Sequence, residues 1–568
     1  MSKPPGGRPL YAAFQPRWAL LVILAGILGG LITVAHRSRK PPPQASDSQE
    51  LGAAPVANRW NEEFFNYAID NLNRLEEFDA AAMLQQIIDR LNGWLQAQEF
   101  PADWKPDAMI TMLPEPLLML PAVRDLDRLS FSYDDSAALE EACWTRDIAA
   151  WARGKQQDDV SRAEHLFDWT TRNIQLETAH GSQNGPAGRH VAQTPVETLL
   201  LGQGTVLERA WVFILLARQQ GLEAALLAIP EAKPSDKDGA AAGKKKSKSP
   251  EKERDPERAA EKRSGAAEEP RPWAVAVRSG QQLYLFDPRL GLPIPAPGPI
   301  PHGAAGQLEI RPATLAEAAT NVDVLRRLDV DSSRRYPVRA EEIRQVVALL
   351  EASPSYLSRR MKVVESRLVG KQKAVLSTSP SAQADCWRAY PHIAEVRLWK
   401  LPYETALAQS RLTPEERQQK MLLLWPVLTA LAKARLLHFK GAFAGEQSAT
   451  HYYLAARPSN ADLSAAEMNG FARAICIRAK QNASYWLGLA AFERGKYPDA
   501  VDYFAQRTLE ASPAGPWTAG AKYNLGRTYE ASGQIDAAIA QYRSDDKVPA
   551  DRGSLLRAKW LEESTQGK

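Results

Sequence analysis

A pattern of small and aromatic residues recurs near the C-terminus of this chain at a constant spacing of 38 residues. Within each copy, two glycines stand 7 apart, an alanine follows after 5 and an aromatic residue after 4 more. The matched positions are Leu487, Gly488, Gly495, Ala500 and Phe504 in the first copy, and Leu525, Gly526, Gly533, Ala538 and Tyr542 in the second. Small residues at this spacing let two antiparallel helices touch, so the pattern predicts helical hairpins.

This pattern resembles the tetratricopeptide repeat, a helix–turn–helix unit. The period exceeds the usual ~34 residues by about four, which the Ser-Pro-Ala-Gly-Pro connection after Ala511 can absorb. The resemblance covers about 485–545 well and 425–460 loosely, where Ala449 precedes Tyr453 by four. It implies a helical C-terminal region that binds protein or peptide partners. Since about three repeats are needed for stability, the looser upstream copy is expected to belong to the same stack.

Residues 18–35, WALLVILAGILGGLITVA, carry no charge. A helix of this length spans about 27 Å, enough to cross the hydrocarbon core of a bilayer. The basic sequence HRSRK follows, and a cleavable leader has a shorter apolar run, so an uncleaved membrane anchor is predicted. Gly26 and Gly30 form a GxxxG spacing, which leaves a homodimer through paired anchors open.

The orientation of this anchor is not decided by charge, because three basic residues lie on each side: Lys3, Arg8 and Arg17 before it, and Arg37, Arg39 and Lys40 after it. A short tail left inside is the commoner bacterial arrangement. We therefore expect a cytoplasmic tail at 1–17 and a single-pass protein of the bacterial inner membrane with its body in the periplasm.

Charge and cysteine content exclude several classes of function. Lys+Arg of 71 against Asp+Glu of 67 leaves a net charge of +4, which is no footprint of a nucleic-acid binder. Cys143, Cys386 and Cys476 lie far apart without a CxxC pair, so neither a disulfide framework nor a zinc site is predicted. No cofactor or metal is expected.

Composition shifts divide the chain into segments, and the predicted fold class is multidomain, mainly α with α+β parts. After the anchor come a flexible linker, 36–57; a helical region, 58–139; an α+β unit, 140–301; an α+β middle region, 302–412; and a helical region, 413–568. Residues 232–270 lack any aromatic or large aliphatic side chain and are expected to be a disordered insertion. In the middle region, periodicity predicts helices over 341–352 and 358–369 and a strand in AEVRLWKLP.

Two blocks of the α+β unit resemble the transglutaminase-like family of the papain-like fold. The first, residues 199–230, places Gly202, Gly204, Ala210 and Gly221 as that family does around its G-x-G-x-C-x-x-x-A motif. The second, residues 271–291, matches the family's H-x-W block and strand-ending Asp-Pro with Trp273, Asp287 and Pro288. The resemblance implies an apolar helix that carries the nucleophile at its N-terminus, followed by strands that carry the His and the Asp.

The catalytic residues of that family are largely missing. Val206 stands at the Cys position and Arg271 at the His position, so only Asp287 remains of the triad. An isopropyl group is no nucleophile, and a guanidinium is no general base. Thr205 lacks a histidine in the second block, and His190 and His302 lie in loop-like sequence. The chain is therefore predicted not to be an enzyme.

Thr205 and Glu208 form a T-x-x-E capping box directly before the apolar run. The helix end that activates a thiol in the active family is thus predicted to be closed by its own side chains. Asp287-Pro288 is interpreted as a strand-ending turn, with Arg271 or Arg209 as a partner for the carboxylate.

The combined features resemble bacterial envelope proteins of planctomycete type. The first functional hypothesis is a membrane-anchored, non-catalytic scaffold or adaptor that binds protein through its repeats. Alternatives are a transglutaminase-like hydrolase or acyl-transferase with an unrecognised nucleophile, and a protease-associated adaptor that holds peptides in the degenerate cleft. Val206 and Arg271 favour the non-catalytic hypotheses, since an active enzyme of this fold is expected to have Cys and His there.

Overall fold

The computed structural model describes residues 56–78, 80–100, 103–177, 192–230, 269–417, 429–464, 470–544 and 552–566. The predicted tail, anchor and nearly all of the linker lie outside the described residues, as does the predicted insertion except for its last two residues. Among the described helices, none has both the length and the apolar content that a bilayer crossing requires. From Ala57 onward the chain forms one compact unit.

The first part of this unit, here called the body, contains a sheet and the helices that cover it. Within its described residues, 3₁₀-helical segments lie at Leu75–Glu77, Ala108–Met112 and Gly370–Gln372. The α-helices are α1 (Val56–Leu72), α2 (Ala80–Leu95), α3 (Glu115–Leu118), α4 (Pro121–Arg124), α5 (Tyr133–Ala152), α6 (Asp159–Asn173), α7 (Pro195–Leu201), α8 (Val206–Gln219), α9 (Leu315–Thr320), α10 (Val322–Arg326), α11 (Pro354–Leu357), α12 (Arg359–Arg367), α13 (Pro380–Arg388) and α14 (Leu401–Ser410). The helical patterns predicted before residue 100 and over 358–369 are confirmed as α1, α2 and α12.

The strands of the body form two sheets. The strands are β1 (Gln175–Leu176), β2 (Gln203–Gly204), β3 (Glu223–Ile229), β4 (Arg271–Ser279), β5 (Gln282–Asp287), β6 (Leu292–Pro293), β7 (Val346–Leu350) and β8 (Ile393–Leu398). A parallel ribbon pairs β1 with β2, while the six-stranded sheet has the order β6-β5-β4-β3-β7-β8. In that sheet, β7 and β8 pair parallel, and the other neighbours pair antiparallel.

The six-stranded sheet is buried on both faces, as the side-chain alternation of β3 shows. Leu226 and Ala228 belong to one core, whereas Ala225, Leu227 and Ile229 belong to the other. Because successive side chains of a strand point to opposite faces, each face receives its own apolar set. Helix α8, apolar on all sides from Ala210 to Ala217, is fully buried in the first core.

The helix predicted over 341–352 is wrong. Residues Val346–Leu350 form β7, a central strand whose five side chains are all buried. A short apolar run rich in β-branched residues fits both a buried helix and a doubly covered strand, so periodicity alone does not separate them. The strand predicted in AEVRLWKLP is confirmed as β8. Both strands belong to the predicted middle region, yet they extend the sheet of the segment before it.

The second part of the unit, here called the hairpin array, is helical. Its elements are α15 (Thr429–Phe439), α16 (Ala449–Ala455), α17 (Asn460–Ser464), α18 (Gly470–Glu493), α19 (Tyr497–Val501, continued by a π-helical turn Asp502–Glu510), α20 (Thr518–Ala531), α21 (Ile535–Arg543) and α22 (Arg552–Gln566). The fold class predicted from the sequence, mainly α with α+β parts, is confirmed at this level for the described residues.

The two copies of the 38-residue pattern form equivalent hairpins. Gly488 on α18 packs against the ring of Phe504, and Gly526 on α20 packs against the ring of Tyr542. Gly495 and Gly533 have φ of 66° and 76° at the two turns, a backbone conformation that glycine adopts readily. The spacing is therefore explained by close helix contact at a glycine, followed by a left-handed turn.

Replacing Gly488 with alanine tests this contact. The new Cβ would lie 2.5 Å from Cε1 of Phe504, so we expect the free energy of unfolding to fall by about 1–3 kcal/mol. Gly93→Ala is the matched control, because a Cβ there meets nothing within 4 Å. That control should raise stability by up to about 1 kcal/mol. Chemical denaturation measures both, and a shift in the same direction for both variants would refute the contact.

An ion network in which Arg172 and Glu493 are buried and Asp168 is partly exposed joins the body to the hairpin array. Asp168 on α6 accepts hydrogen bonds from Arg172 and from Arg527 on α20, and Arg172 also pairs with Glu493 on α18. Although burial opposes ionisation, Arg527 and Arg172 hold the pKa of Asp168 well below its usual range. Removing one member of such a network leaves an uncompensated buried charge.

Glu140 on α5 is a buried carboxyl whose pKa is shifted in the opposite direction to that of Asp168. It is 5% exposed, and its Oε1 has no hydrogen-bond partner among the described residues. Burial raises the pKa of Glu140 to about 8. Between the unfolded value of about 4.3 and this folded value, the native state holds a proton that the unfolded chain releases. Stability from this group is therefore complete at low pH and is lost as the pH rises toward 8.

Glu140→Gln should remove this dependence. A carboxyl with a raised pKa lowers the free energy of unfolding by about 1.4 kcal/mol for each unit of pH increase between its unfolded and folded pKa values. The slope of stability against pH between about 5 and 8 should become shallower by that amount, as measured by denaturant titration across this range. The exposed Glu99→Gln is the control, and an unchanged slope in Glu140→Gln would show that the carboxyl is not protonated in the folded protein.

Candidate functional site

The start of α8 is the position where the sequence predicts a degenerate catalytic centre. Thr205 is its N-cap: its Oγ1 accepts a hydrogen bond from the Glu208 N–H at 3.3 Å, and Oε2 of Glu208 accepts one from the Thr205 N–H at 2.7 Å. The capping box predicted from the sequence is therefore present. Oε1 of Glu208 also accepts from the Gln193 N–H at 2.7 Å. Thr205 Oγ1 thus acts as a helix cap.

The three positions of the expected triad are not connected to one another. Two of them, Arg271 and Asp287, lie on neighbouring strands but have separate hydrogen-bond or ion-pair partners. Val206 is the first residue of α8 and is half-buried. Arg271 begins β4 and lies 3.3 Å from Glu342, with about half of its side chain exposed. Asp287 ends β5 and is buried. Among the described residues, no hydrogen bond or ion pair connects these three positions.

Asp287 takes its hydrogen bonds from a tyrosine and from its own turn. Tyr336 donates its hydroxyl proton to Oδ2 at 2.6 Å, and Trp273 Nε1 donates to the same hydroxyl oxygen at 2.8 Å. The N–H groups of Arg289 and Leu290 donate to Oδ1 at 2.8 and 3.0 Å. Burial raises the pKa of Asp287, and these donors oppose the shift.

The predicted strand-ending turn at Asp287 is correct, but the predicted arginine partner is wrong. Arg209 donates to the carbonyl oxygens of Ile174 and Pro288 instead. Tyr336 lies 49 residues beyond Asp287, and no local spacing in the sequence points to it. The burial of Arg209, by contrast, can be anticipated from the sequence, since Arg209 and Glu208 are charged residues at the start of an otherwise apolar helical run.

The hairpin array covers the β1–β2 ribbon next to this site. The carbonyl oxygen of Pro516 accepts from the side-chain amides of Gln175 and Gln203, both at 2.9 Å. The Gly520 N–H donates to Oε1 of Gln175 at 2.6 Å. A Cβ at Gly202 would lie 3.1 Å from the ring of Trp517. The connection between the two hairpins is thus anchored to the face of the ribbon.

The remaining candidates for chemistry have ordinary surroundings. Burial raises the pKa of the Cys143 thiol to about 12, which makes it unreactive. His302 is exposed and its backbone forms an isolated bridge with Leu308; His190 lies outside the described residues. Within the described ranges, no group of His, Cys, Asp and Glu is arranged to hold a metal ion.

A groove also lies on the surface of the hairpin array. It encloses about 570 Å³ between α17, α18 and the end of the π-helical turn. Its lining includes three basic residues (Arg457, Lys480 and Arg507), apolar residues (Leu463, Ile477, Ala511, Pro516 and Trp517) and uncharged polar residues (Asn460, Gln481, Ser484, Gln506, Thr508 and Ser512). Among the described residues that line this groove, none is acidic.

The basic residues of this groove are only partly neutralised. Arg457 donates to Ser484 Oγ at 3.1 Å and Lys480 to Asn460 Oδ1 at 2.7 Å, so neither of these hydrogen bonds involves a carboxylate. Arg507 pairs with Asp502, which lies outside the lining. Burial lowers the pKa of Arg457, and the like charge of Arg507 adds to this effect. The described lining of the groove thus carries a net positive charge beside exposed Ile477.

Comparison of this chain with known families, curated proteins and solved structures finds no match in any of the three.

Proposed function

We propose that this protein is a membrane-anchored, non-catalytic scaffold that holds a protein partner in the groove of its hairpin array. The observation that carries the proposal is the groove itself: three basic side chains beside exposed apolar surface, with no acidic residue in its described lining. Grooves of this size with a few placed polar groups are typical binding sites. The partner segment that fits is an extended peptide that carries carboxylates next to an apolar side chain.

The closed helix end supports the non-catalytic part of this proposal. Thr205 and Glu208 satisfy each other at the N-terminus of α8, and Tyr336 binds the carboxylate that would otherwise orient a histidine. The full-length protein should therefore show no acyl transfer to or from glutamine peptides. If such turnover occurs and Val206→Trp abolishes it, this part of the proposal fails.

The location of the scaffold is the third part of the proposal. The uncharged run at 18–35 supports a single span of the bacterial inner membrane with the body in the periplasm. Full-length protein should then resist carbonate extraction, and protease added to spheroplasts should digest the body. Recovery in the soluble fraction would exclude the anchor, and protection of the body would reverse the orientation.

Charge reversal in the groove tests the binding function. Full-length protein and a Lys480→Glu variant are purified from detergent-solubilised membranes, and co-purifying proteins are quantified by mass spectrometry. A genuine partner should be depleted about tenfold or more by the variant, since reversal replaces an attractive contact with a repulsive one. Lys362→Glu is the matched control, because Lys362 is exposed on α12 of the body. Equal recovery from all three proteins contradicts a role for the groove.

A further inference from the structure

A second cavity lies between the body and the hairpin array, separate from the groove. It has about 60 Å³ of room for solvent, several times the ~10–15 Å³ that a cavity needs in order to hold one water molecule. Its walls come from the end of α6, the ribbon, the start of α8, the turn after β5, α18, and the starts of α20 and α22. The lining residues are Thr171, Gln175, Leu176, Arg209, Arg289, Leu290, Gly291, Tyr485, Ala519, Gly520, Tyr523, Gly553 and Ser554.

The charge of this lining is one-sided. It contains two arginines, and none of the described residues that line it is acidic. Arg209 is only 6% exposed and forms no salt bridge within the described ranges. Asp287, the nearby carboxylate, is hydrogen-bonded by Tyr336 and by two backbone N–H groups, and receives no hydrogen bond from either guanidinium. A buried guanidinium without a carboxylate partner is rare unless another anion compensates it.

The hydrogen bonds of Arg209 leave donors for such an anion. Its Nε and Nη2 donate to the Ile174 carbonyl oxygen, and its Nη1 donates to that of Pro288. These bonds account for three of the five N–H groups of a guanidinium. Burial lowers the pKa of Arg209 to about 10, and the nearby Asp287 opposes this shift only in part. Arg289 brings a second guanidinium to the cavity and is exposed to solvent, so it lies at the entrance.

Close backbone approaches fix the shape of the cavity. A Cβ at Gly520 would lie 2.6 Å from the Tyr485 hydroxyl, and one at Gly553 would collide with the carbonyl oxygen of Leu290. Gly291 has φ of 66°, and a Cβ there would meet Thr171. The walls are therefore in firm contact around the opening, so a ligand would meet a preformed site.

We propose that this cavity binds a phosphate group, either as the free ion or at the end of a small phosphate monoester. Arg209 supplies the buried positive charge and Arg289 the charge at the entrance, while the hydroxyl of Ser554 adds a neutral donor. Arginine forks match phosphate oxygens in pairs, and donors from several directions suit a tetrahedral group. The site does not depend on the groove and needs no protein partner.

The test is calorimetric titration of the full-length protein in detergent with inorganic phosphate, glycerol phosphate and acetate at matched ionic strength. Binding of inorganic phosphate alone would identify the free ion as the ligand, whereas binding of glycerol phosphate as well would show that the site accepts a monoester. Acetate should bind more weakly than phosphate. Arg289→Gln should weaken phosphate binding about tenfold, the usual size of one charge-assisted contact. Arg124→Gln, an exposed arginine on α4, should leave binding unchanged.

A second variant separates charge from shape. Ala519→Leu keeps the net charge and the helix but fills the cavity, so it should also weaken phosphate binding. Thermal unfolding checks that each variant is folded. Absence of phosphate binding by the unmodified protein, or binding that neither Arg289→Gln nor Ala519→Leu weakens, would overturn the proposal.

Discussion

Replacing Glu530 with alanine is expected to lower the free energy of unfolding by about 3–5 kcal/mol, the usual cost of breaking a buried ion pair from one side. Glu530 lies on α20 and is 1% exposed. It accepts hydrogen bonds from Arg557 on α22, from the Tyr542 hydroxyl and from the Leu308 N–H of the body. Without its carboxylate, Arg557 and the other donors remain buried and unpaired.

The same carboxylate gives this contribution a defined pH dependence. Although burial opposes ionisation, Arg557 and Arg527 lower the pKa of Glu530 to about 2. Its contribution is therefore present above the unfolded pKa of about 4.3 and is lost as the pH falls toward 2. Denaturant titration at neutral pH and at pH 3 measures this loss.

The surface pair Arg543–Glu562 provides the matched control for Glu530. Both side chains are partly exposed, at 52% and 29%, so Glu562→Ala should cost no more than about 1 kcal/mol. Equal losses for Glu530→Ala and Glu562→Ala would contradict a stabilising role for the Glu530 carboxylate beyond that of a surface ion pair.

Trp517→Ala is expected to lower the free energy of unfolding by a similar amount, about 3–5 kcal/mol. The indole is 1% exposed and stacks on Tyr485 with ring centroids 4.3 Å apart. Its Nε1 donates to Asn482 Oδ1 at 2.8 Å, and its ring edge lies against Gly202 of the body. The substitution therefore opens a cavity at the contact between the hairpin connection and the ribbon.

Limited proteolysis distinguishes this loss from unfolding of one hairpin alone. Because the ring packs on both parts, Trp517→Ala should make the α20 region and the ribbon accessible together. Accessibility of the hairpin array alone would show that the indole stabilises only its own helices.

Features set by nearby residues were predictable from the sequence. The Gly488–Phe504 contact lies within one hairpin, and the Thr205–Glu208 cap lies within one turn of helix. In both cases, side-chain size or hydrogen-bonding capacity at a short spacing determines the local structure. The helical hairpins and the closed start of α8 follow directly from these patterns.

Features set by long-range packing were not predictable. Asp168 and Arg527 are 359 residues apart, and no local pattern connects them. The sequence pattern of β7 predicts a helix because the burial of this strand depends on distant neighbours that cover both faces of the sheet. The candidate phosphate cavity has the same origin, since both of its arginines come from the body and part of its remaining wall comes from the hairpin array.

Site-specific photocrosslinking in native membranes tests the central claim most directly, that the groove of the hairpin array holds a protein partner. A photoreactive amino acid replaces Ile477, which is 41% exposed within the groove, or Val369, which is 70% exposed on the body. We predict a discrete crosslinked partner from position 477 that Lys480→Glu removes, and none from position 369. Absence of an adduct at 477, or the same adducts from both positions, would contradict the proposed function.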